Sequence, residues 1–89
     1  MMTISTLPNR TLDLRGLQNP EPILSLADAA AYWHANDTIR VLADDECFAS
    51  DFLRWCVGSE LDLVSLRYPT AGVTELTLHV PRGVQRLSA

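Results

Sequence analysis

The chain has 89 residues, of which 47% are hydrophobic and 20% charged, a balance typical of one small globular domain. Its net charge is −4, and it has seven arginines but no lysine, so it lacks the clustered positive charge on which nucleic-acid affinity depends. No apolar run reaches the ~18 residues of a membrane span.

The cysteine and histidine content argues against a bound metal. Cys47, Cys56, His34 and His79 form neither a Cys-x-x-Cys nor a His-x-x-x-His pair, and structural zinc requires about four ligands at such spacings. Two cysteines are also too few for a secreted disulfide framework. We therefore expect neither a metal nor another cofactor.

The two ends of the chain are predicted to be tails around one domain, residues 11–82. Residues 1–10 and 83–89 have no periodic apolar pattern. The first ten residues also lack the basic region and apolar core of a signal peptide. A cytoplasmic location is therefore expected.

A strand and then a helix are predicted in the first third of the chain. Residues 11–16 alternate apolar and polar side chains up to Gly16. Asn19 is a good helix N-cap, Pro20 suits the first helical position, and Pro22 still falls within the first turn. Glu21 adds a negative charge at the positive end of the helix. The apolar face continues through Ile23, Leu26, Ala27, Ala30 and His34, and we expect the helix to end near residues 35–37.

The rest of the chain predicts one more helix and three more strands. The strands are expected at 38–44, 61–68 and 73–80, with a turn at 69–72. The second helix lies within 44–58, capped by Asp44 or Asp45 at its start and by Gly58 at its end. Its apolar face is formed by Phe48, Phe52, Trp55 and Cys56.

The order of the predicted elements is βαβαββ. A helix between the first two strands implies that they run parallel with a right-handed crossover. The short turn between the last two implies an antiparallel hairpin. The prediction is an α/β (α+β) two-layer sandwich, with a four-stranded mixed sheet and both helices on one face.

This order and two motifs resemble the TusA/SirA-like family of small sulfur-carrier proteins. The family motif L-D-x-x-G-L-x-C-P-x-P reads here as Leu-Asp-Leu-Arg-Gly-Leu-Gln-Asn-Pro-Glu-Pro over residues 12–22. The family's Ala-Asp-Asp at the end of the second strand is residues 43–45. The resemblance runs from Leu12 to about Arg82 and implies the same βαβαββ sandwich.

The resemblance also implies a chemistry from which this chain departs. The family's motif cysteine carries sulfur as a persulfide, received from a donor such as a cysteine desulfurase. Asn19 stands at that position, and an amide forms no persulfide and is not a nucleophile. The carrier activity is therefore not assigned to Asn19, which is interpreted as a helix cap and, at the vacated site, a polar group for a ligand or partner.

Cys47 is a candidate for a relocated carrier thiol. It follows the second strand, so its loop is expected near Asn19, because parallel strands end at the same edge of a sheet. Gly16, Asp44 and Asp45 are predicted to border that site. A helix start favours a thiolate, whereas the neighbouring acidic residues oppose it. The alternative is that Cys47 is an inert, half-buried cysteine.

Three functions remain open on the sequence. The first is a module without carrier chemistry that binds proteins of the sulfur relay, such as a cysteine desulfurase or a DsrE-like protein. The second is an active carrier that uses Cys47. The third is a small-molecule or nucleic-acid binding domain on the same scaffold, because one fold hosts many functions.

Overall fold

A computed structural model describes residues 8–82 of the chain. Its elements are β1 (Arg10–Asp13), α1 (Glu21–Ala30), β2 (Thr38–Ala43), α2 (Phe48–Cys56), β3 (Asp62–Thr70) and β4 (Val73–His79). The predicted order βαβαββ is confirmed. The predicted tails fall largely on residues 1–7 and 83–89, which lie outside the described part, but Arg10 already belongs to β1.

The four strands form one mixed sheet in the order β1-β2-β4-β3. β1 runs parallel to β2, with Leu12 opposite Val41, as the helical crossover between them requires. β4 lies antiparallel to both β2 and β3. The hairpin between β3 and β4 turns at Gly72, whose φ of 82° lies in the region that glycine adopts without strain.

The core lies between the sheet and the two helices. Alternate residues of β2 and β4 point into it, and α1 and α2 cover it with aliphatic and aromatic side chains. The largest fully buried side chains are Phe48, Phe52, Leu26, Ile39, Leu76, Leu78, Val41, Val80 and Pro22. The fold is therefore the two-layer α+β sandwich predicted from the sequence.

α1 is shorter than the sequence predicts, because it ends at Ala30 rather than near residues 35–37. The N–H of Tyr32 bonds three residues back in a tight turn. The N–H of His34 then donates to the Asp37 carboxylate at 2.9 Å instead of to a helical carbonyl. This local side-chain acceptor competes with the helix. His34 is consequently exposed beyond the helix and not on its apolar face.

α2 has the predicted apolar face but not the predicted caps. Phe48 and Phe52 are buried, and Trp55 and Cys56 pack half-buried against the core. The N-cap is Cys47, so neither Asp44 nor Asp45 occupies that position. The expected cap at Gly58 is also wrong, because the C-cap is Val57 and the left-handed residue after the helix is Glu60, at φ 64°.

The face of the sheet away from the helices carries a charged network. Glu75 on β4 accepts hydrogen bonds from Arg40 on β2 and from Arg67 on β3, the second at 2.7 Å. The Glu75 side chain is only 5% exposed. These bonds from Arg40 and Arg67 lower the pKa of Glu75 against the opposing effect of burial. Arg40 therefore pairs with Glu75 across the two neighbouring strands.

The loop between α1 and β2 is tied to the start of β1 by Asp37. Its carboxylate accepts from Arg10 Nε at 2.8 Å, from Asn9 Nδ2 at 3.2 Å and from the backbone N–H of His34. Burial by itself raises the pKa of Asp37, but these three hydrogen bonds outweigh it and hold the pKa below its ordinary value. The ionised form of Asp37 therefore stabilises the fold.

Asp37→Asn is expected to lower the free energy of unfolding at pH 7 by about 1–3 kcal/mol. The substitution replaces the carboxylate oxygen that accepts from both Arg10 and the N–H of His34, and the site is largely buried. The lowered pKa makes this contribution present above the ordinary carboxyl pKa of about 4 and lost as pH falls through the lower folded pKa. Urea unfolding at pH 7 and at decreasing pH measures both effects. Asp28→Asn on the exposed side of α1 is the control, and an equal loss there would contradict the assignment.

Candidate functional site

The loop between β1 and α1 is held by the two aspartates that follow β2. The N–H of Gly16 donates to Asp44 Oδ1 at 3.0 Å. Gly16 has a φ of 90°, a conformation that glycine adopts without the steric penalty of a side chain. The turn that aims this N–H at Asp44 thus needs a glycine at position 16.

Asp45 makes a second connection between the same loops, and its side chain is almost fully buried. Its Oδ1 accepts from the N–H of Asn19 and its Oδ2 from the N–H of Cys47, both at 3.0 Å. One carboxylate therefore serves both the motif position and the start of α2. The structure brings Gly16, Asp44 and Asp45 to the edge of the sheet where Asn19 lies.

Asn19 does not cap α1. The N-cap is Pro20, and it makes no side-chain cap hydrogen bond. The Asn19 amide instead donates through Nδ2 to Asp51 Oδ2 at 2.6 Å. A hydrogen bond to a carboxylate is stronger than one to a neutral group, which explains why the side chain turns toward α2. The helix therefore begins at Glu21, one residue later than predicted, and Pro22 occupies its second position.

Sequence reasoning did not single out Asp51. Asp51 lies four residues after Cys47, and residues four apart on a helix share a face. This spacing could have indicated that Asp51 lies on the same side of α2 as Cys47. The contact with Asn19 spans 32 residues of sequence and depends on how α1 and α2 are placed over the sheet. The sequence near Asn19 or near Asp51 does not predict how the two helices are placed relative to each other.

Cys47 is exposed and has a free thiol. Partial removal from water, followed by the negative charges of Asp45, Asp51 and Glu46, raises the pKa of the thiol. The exposure of Cys47 is compatible with a carrier thiol, whereas the direction of its pKa shift is opposite to the one that favours the reactive thiolate.

A shallow groove of about 370 Å³ opens beside the motif position. It lies between the start of α1 and the middle of α2. Its lining, which we call the motif groove, consists of Asn19, Pro20, Ile23, Asp51, Arg54 and Trp55. The groove combines apolar surface from both helices with one carboxylate and one guanidinium group.

Arg15, Cys56 and His79 do not line this groove. Arg15 pairs with Asp13, whose pKa it lowers to about 2 through side-chain and backbone hydrogen bonds. Cys56 is half-buried at the end of α2, with its Sγ 3.9 Å from the carbonyl oxygen of Leu61. His79 lies 3.7 Å from an Asp62 oxygen on the sheet.

Within residues 8–82 the structure holds no group of three His, Cys, Asp or Glu side chains placed to bind a metal ion. None of the helices in that part of the chain is long and apolar enough to cross a membrane.

Comparison with known proteins identifies the class of this fold and then the family. A solved structure of a SirA-like protein from Desulfitobacterium hafniense aligns with a TM-score of 0.68 and 22% identity, over 82% of this chain and 99% of that one. The fold is thus that of a SirA-like two-layer sandwich. Residues 10–80 match the family model described as Sulfurtransferase TusA. The chain belongs to the TusA family.

The bond between Asn19 and Asp51 leads to a prediction about charge. Asn19→Asp places two carboxylates at hydrogen-bond distance and removes the donor, so it should destabilise the protein by about 1 kcal/mol more than Asn19→Ala. The swapped pair Asn19→Asp/Asp51→Asn restores one donor and one acceptor. Thermal unfolding of all four proteins should show rescue in the swapped pair, and a double variant no more stable than Asn19→Asp would refute the contact.

The raised pKa of Cys47 leads to a prediction about reactivity. In a Cys56→Ser background, the rate of iodoacetamide alkylation should reach half its maximum above pH ~8.5, the ordinary value for cysteine. Asp51→Asn should move this midpoint to lower pH, because it removes one negative charge near the sulfur. Asp62→Asn on β3 serves as the distant control. A midpoint below the ordinary value in the parent would show that Cys47 is an activated thiol.

Proposed function

We propose that this TusA-family chain is a partner-binding or regulatory module of the sulfur-relay type that carries no persulfide at its motif position. The observation that supports this most directly is the Asn19 side chain, which stands where the family motif has its cysteine and donates to Asp51. An amide in that place offers no nucleophile. The loop around it nevertheless keeps its connections to Asp44 and Asp45.

A protein that has lost its reaction but kept the loop around the site retains a shaped surface. The two aspartates hold the loop between β1 and α1 against the start of α2, so the motif groove between the helices is pre-formed. A pre-formed surface avoids the entropy loss of ordering a loop on binding. We propose proteins of the sulfur relay as partners, with a cysteine desulfurase or a DsrE-like protein as the two classes to examine.

A second candidate function is an active carrier that uses Cys47. Its exposed thiol favours this candidate, together with the Asp45 carboxylate that contacts the N–H groups of both Cys47 and Asn19. In that reaction the Cys47 thiolate attacks the outer sulfur of a donor persulfide, and the donor leaves as a thiolate. The raised pKa of Cys47 disfavours this reaction, because the thiolate is the nucleophile.

Nucleic acid is the least supported partner. The helices and the loops beside them are acidic, and phosphate binding requires clustered cations.

Intact-mass spectrometry separates these candidates. The parent protein, Asn19→Cys and Cys47→Ser are each incubated with a cysteine desulfurase and cysteine, without reductant. We expect no added sulfur on the parent or on Cys47→Ser, and the mass of one added sulfur on Asn19→Cys. Restored loading would mean that the scaffold and its docking surface remain functional.

The outcome that would overturn the proposal is a sulfur gain on the parent that disappears in Cys47→Ser. That result would assign carrier activity to Cys47. Tryptic mapping of the modified peptide distinguishes Cys47 from Cys56, the other described thiol.

A further inference from the structure

The motif groove is a surface on which the two helices leave apolar side chains uncovered. Ile23 and Trp55 are only half-buried although they pack against the core. Leu24, next to Ile23 on α1, is 58% exposed. The groove volume of about 370 Å³ is at the small end of ligand pockets and is large enough for one or two side chains.

The charges beside this groove are mainly negative. Asp51 lines it, and only its Oδ2 is used by Asn19, so among the described residues Oδ1 has no hydrogen-bond partner. Glu21 and Glu46 are exposed in the neighbouring first turn of α1 and just before α2. Arg54 is the only cation among the residues that line the groove.

The helices and their adjoining loops are also negatively charged as a whole. Residues 21–36 and 44–60, which form the helices and adjoining loops, contain seven carboxylates and one arginine. The other described segments contain four carboxylates and five arginines. The acidic excess therefore lies in the helices and their adjoining loops, which include the elements that line the groove.

We propose that the motif groove docks a basic, partly apolar segment of a partner protein, with a partner lysine or arginine paired to the free Oδ1 of Asp51 and apolar atoms lying over Ile23 and Trp55. The inference rests on the proposed function and specifies the chemistry of the partner. Charge complementarity supports the choice, because opposite charges across an interface steer association and fix its register.

Two other occupants fit the charges less well. A second copy of this chain would bring one acidic helical face against another, and like charges at close range are unfavourable. An anionic ligand would pair with Arg54 but would face Asp51 in the same groove. These two alternatives predict effects of opposite sign from those of a basic partner.

A peptide titration tests the proposal on the full chain. The probes are a short peptide of alternating lysine and leucine and its counterpart of alternating glutamate and leucine, followed by amide chemical shifts. We expect the lysine peptide to shift the amides of Ile23 and Trp55, and the glutamate peptide to leave them unchanged. The affinity should fall with added salt, because the contact depends on charge.

Paired substitutions within the groove separate charge from shape. Asp51→Asn keeps an oxygen that accepts from Asn19 but removes the charge, so it should weaken the lysine peptide about two- to five-fold. Arg54→Gln removes a repelling cation and should tighten binding by a similar factor. Asp62→Asn, a lost carboxylate on the sheet side, is the matched control and should change nothing.

Three results would overturn the inference. One is preferential binding of the glutamate peptide, weakened by Arg54→Gln. Another is concentration-dependent shifts at the groove without any peptide, which would indicate self-association. The third is the absence of shifts at Ile23 and Trp55 with either peptide. Sulfur loading of the parent protein tests the proposed function separately, so the failure of one can be told from the failure of the other.

Discussion

The arrangement of this site depends on two adjacent carboxylates at the end of β2. Asp44 accepts from the N–H of Gly16, and Asp45 accepts from the N–H groups of Asn19 and Cys47. These bonds join the first strand–helix connection to the second. They satisfy backbone donors that helix starts and turns leave unpaired. Residues 12–22 and 43–45, which are separated by twenty residues of sequence, thus form one physical unit.

The loop that carries Asn19 is held in place by these contacts to its backbone. Nothing in the bonds from Asp44 and Asp45 uses the side chain at position 19, because they contact backbone N–H groups. The side chain is free to be replaced, and here its amide finds the Asp51 carboxylate on α2. The backbone geometry of the site and the identity of its reactive group are therefore physically separable.

The charges at the end of β2 and the start of α2 affect the reactivity of the site. Partial removal from water, followed by the negative charges of Asp45, Asp51 and Glu46 near the start of α2, raises the pKa of the Cys47 thiol. A negative environment disfavours a thiolate and attracts a cationic partner. Structural and functional consequences thus come from one set of charges. The buried Glu75 on the opposite face is instead paired with two arginines, so positive charge exceeds negative charge in that network.

The sequence by itself determined the element order, the two-layer fold and the family, because each rests on local signals. Alternation marks the strands, the spacing of Phe48 and Phe52 marks α2, and the glycine and prolines of the motif mark the turn and helix start. The early end of α1 was not predicted, since the Asp37 carboxylate that takes the N–H of His34 is held by Asn9 and Arg10, 28 and 27 residues away.

Only the tertiary structure decided what Asn19 does. By sequence it is a good helix cap, and that local preference is real. A carboxylate 32 residues away offers a stronger bond, and its position depends on the packing of both helices on the sheet. The same holds for the motif groove, whose residues come from two helices. The bond between Asn19 and Asp51 and the shape of the motif groove both depend on contacts between α2 and the start of α1. Those contacts form only when the helices pack on the sheet, so the local sequence does not specify them.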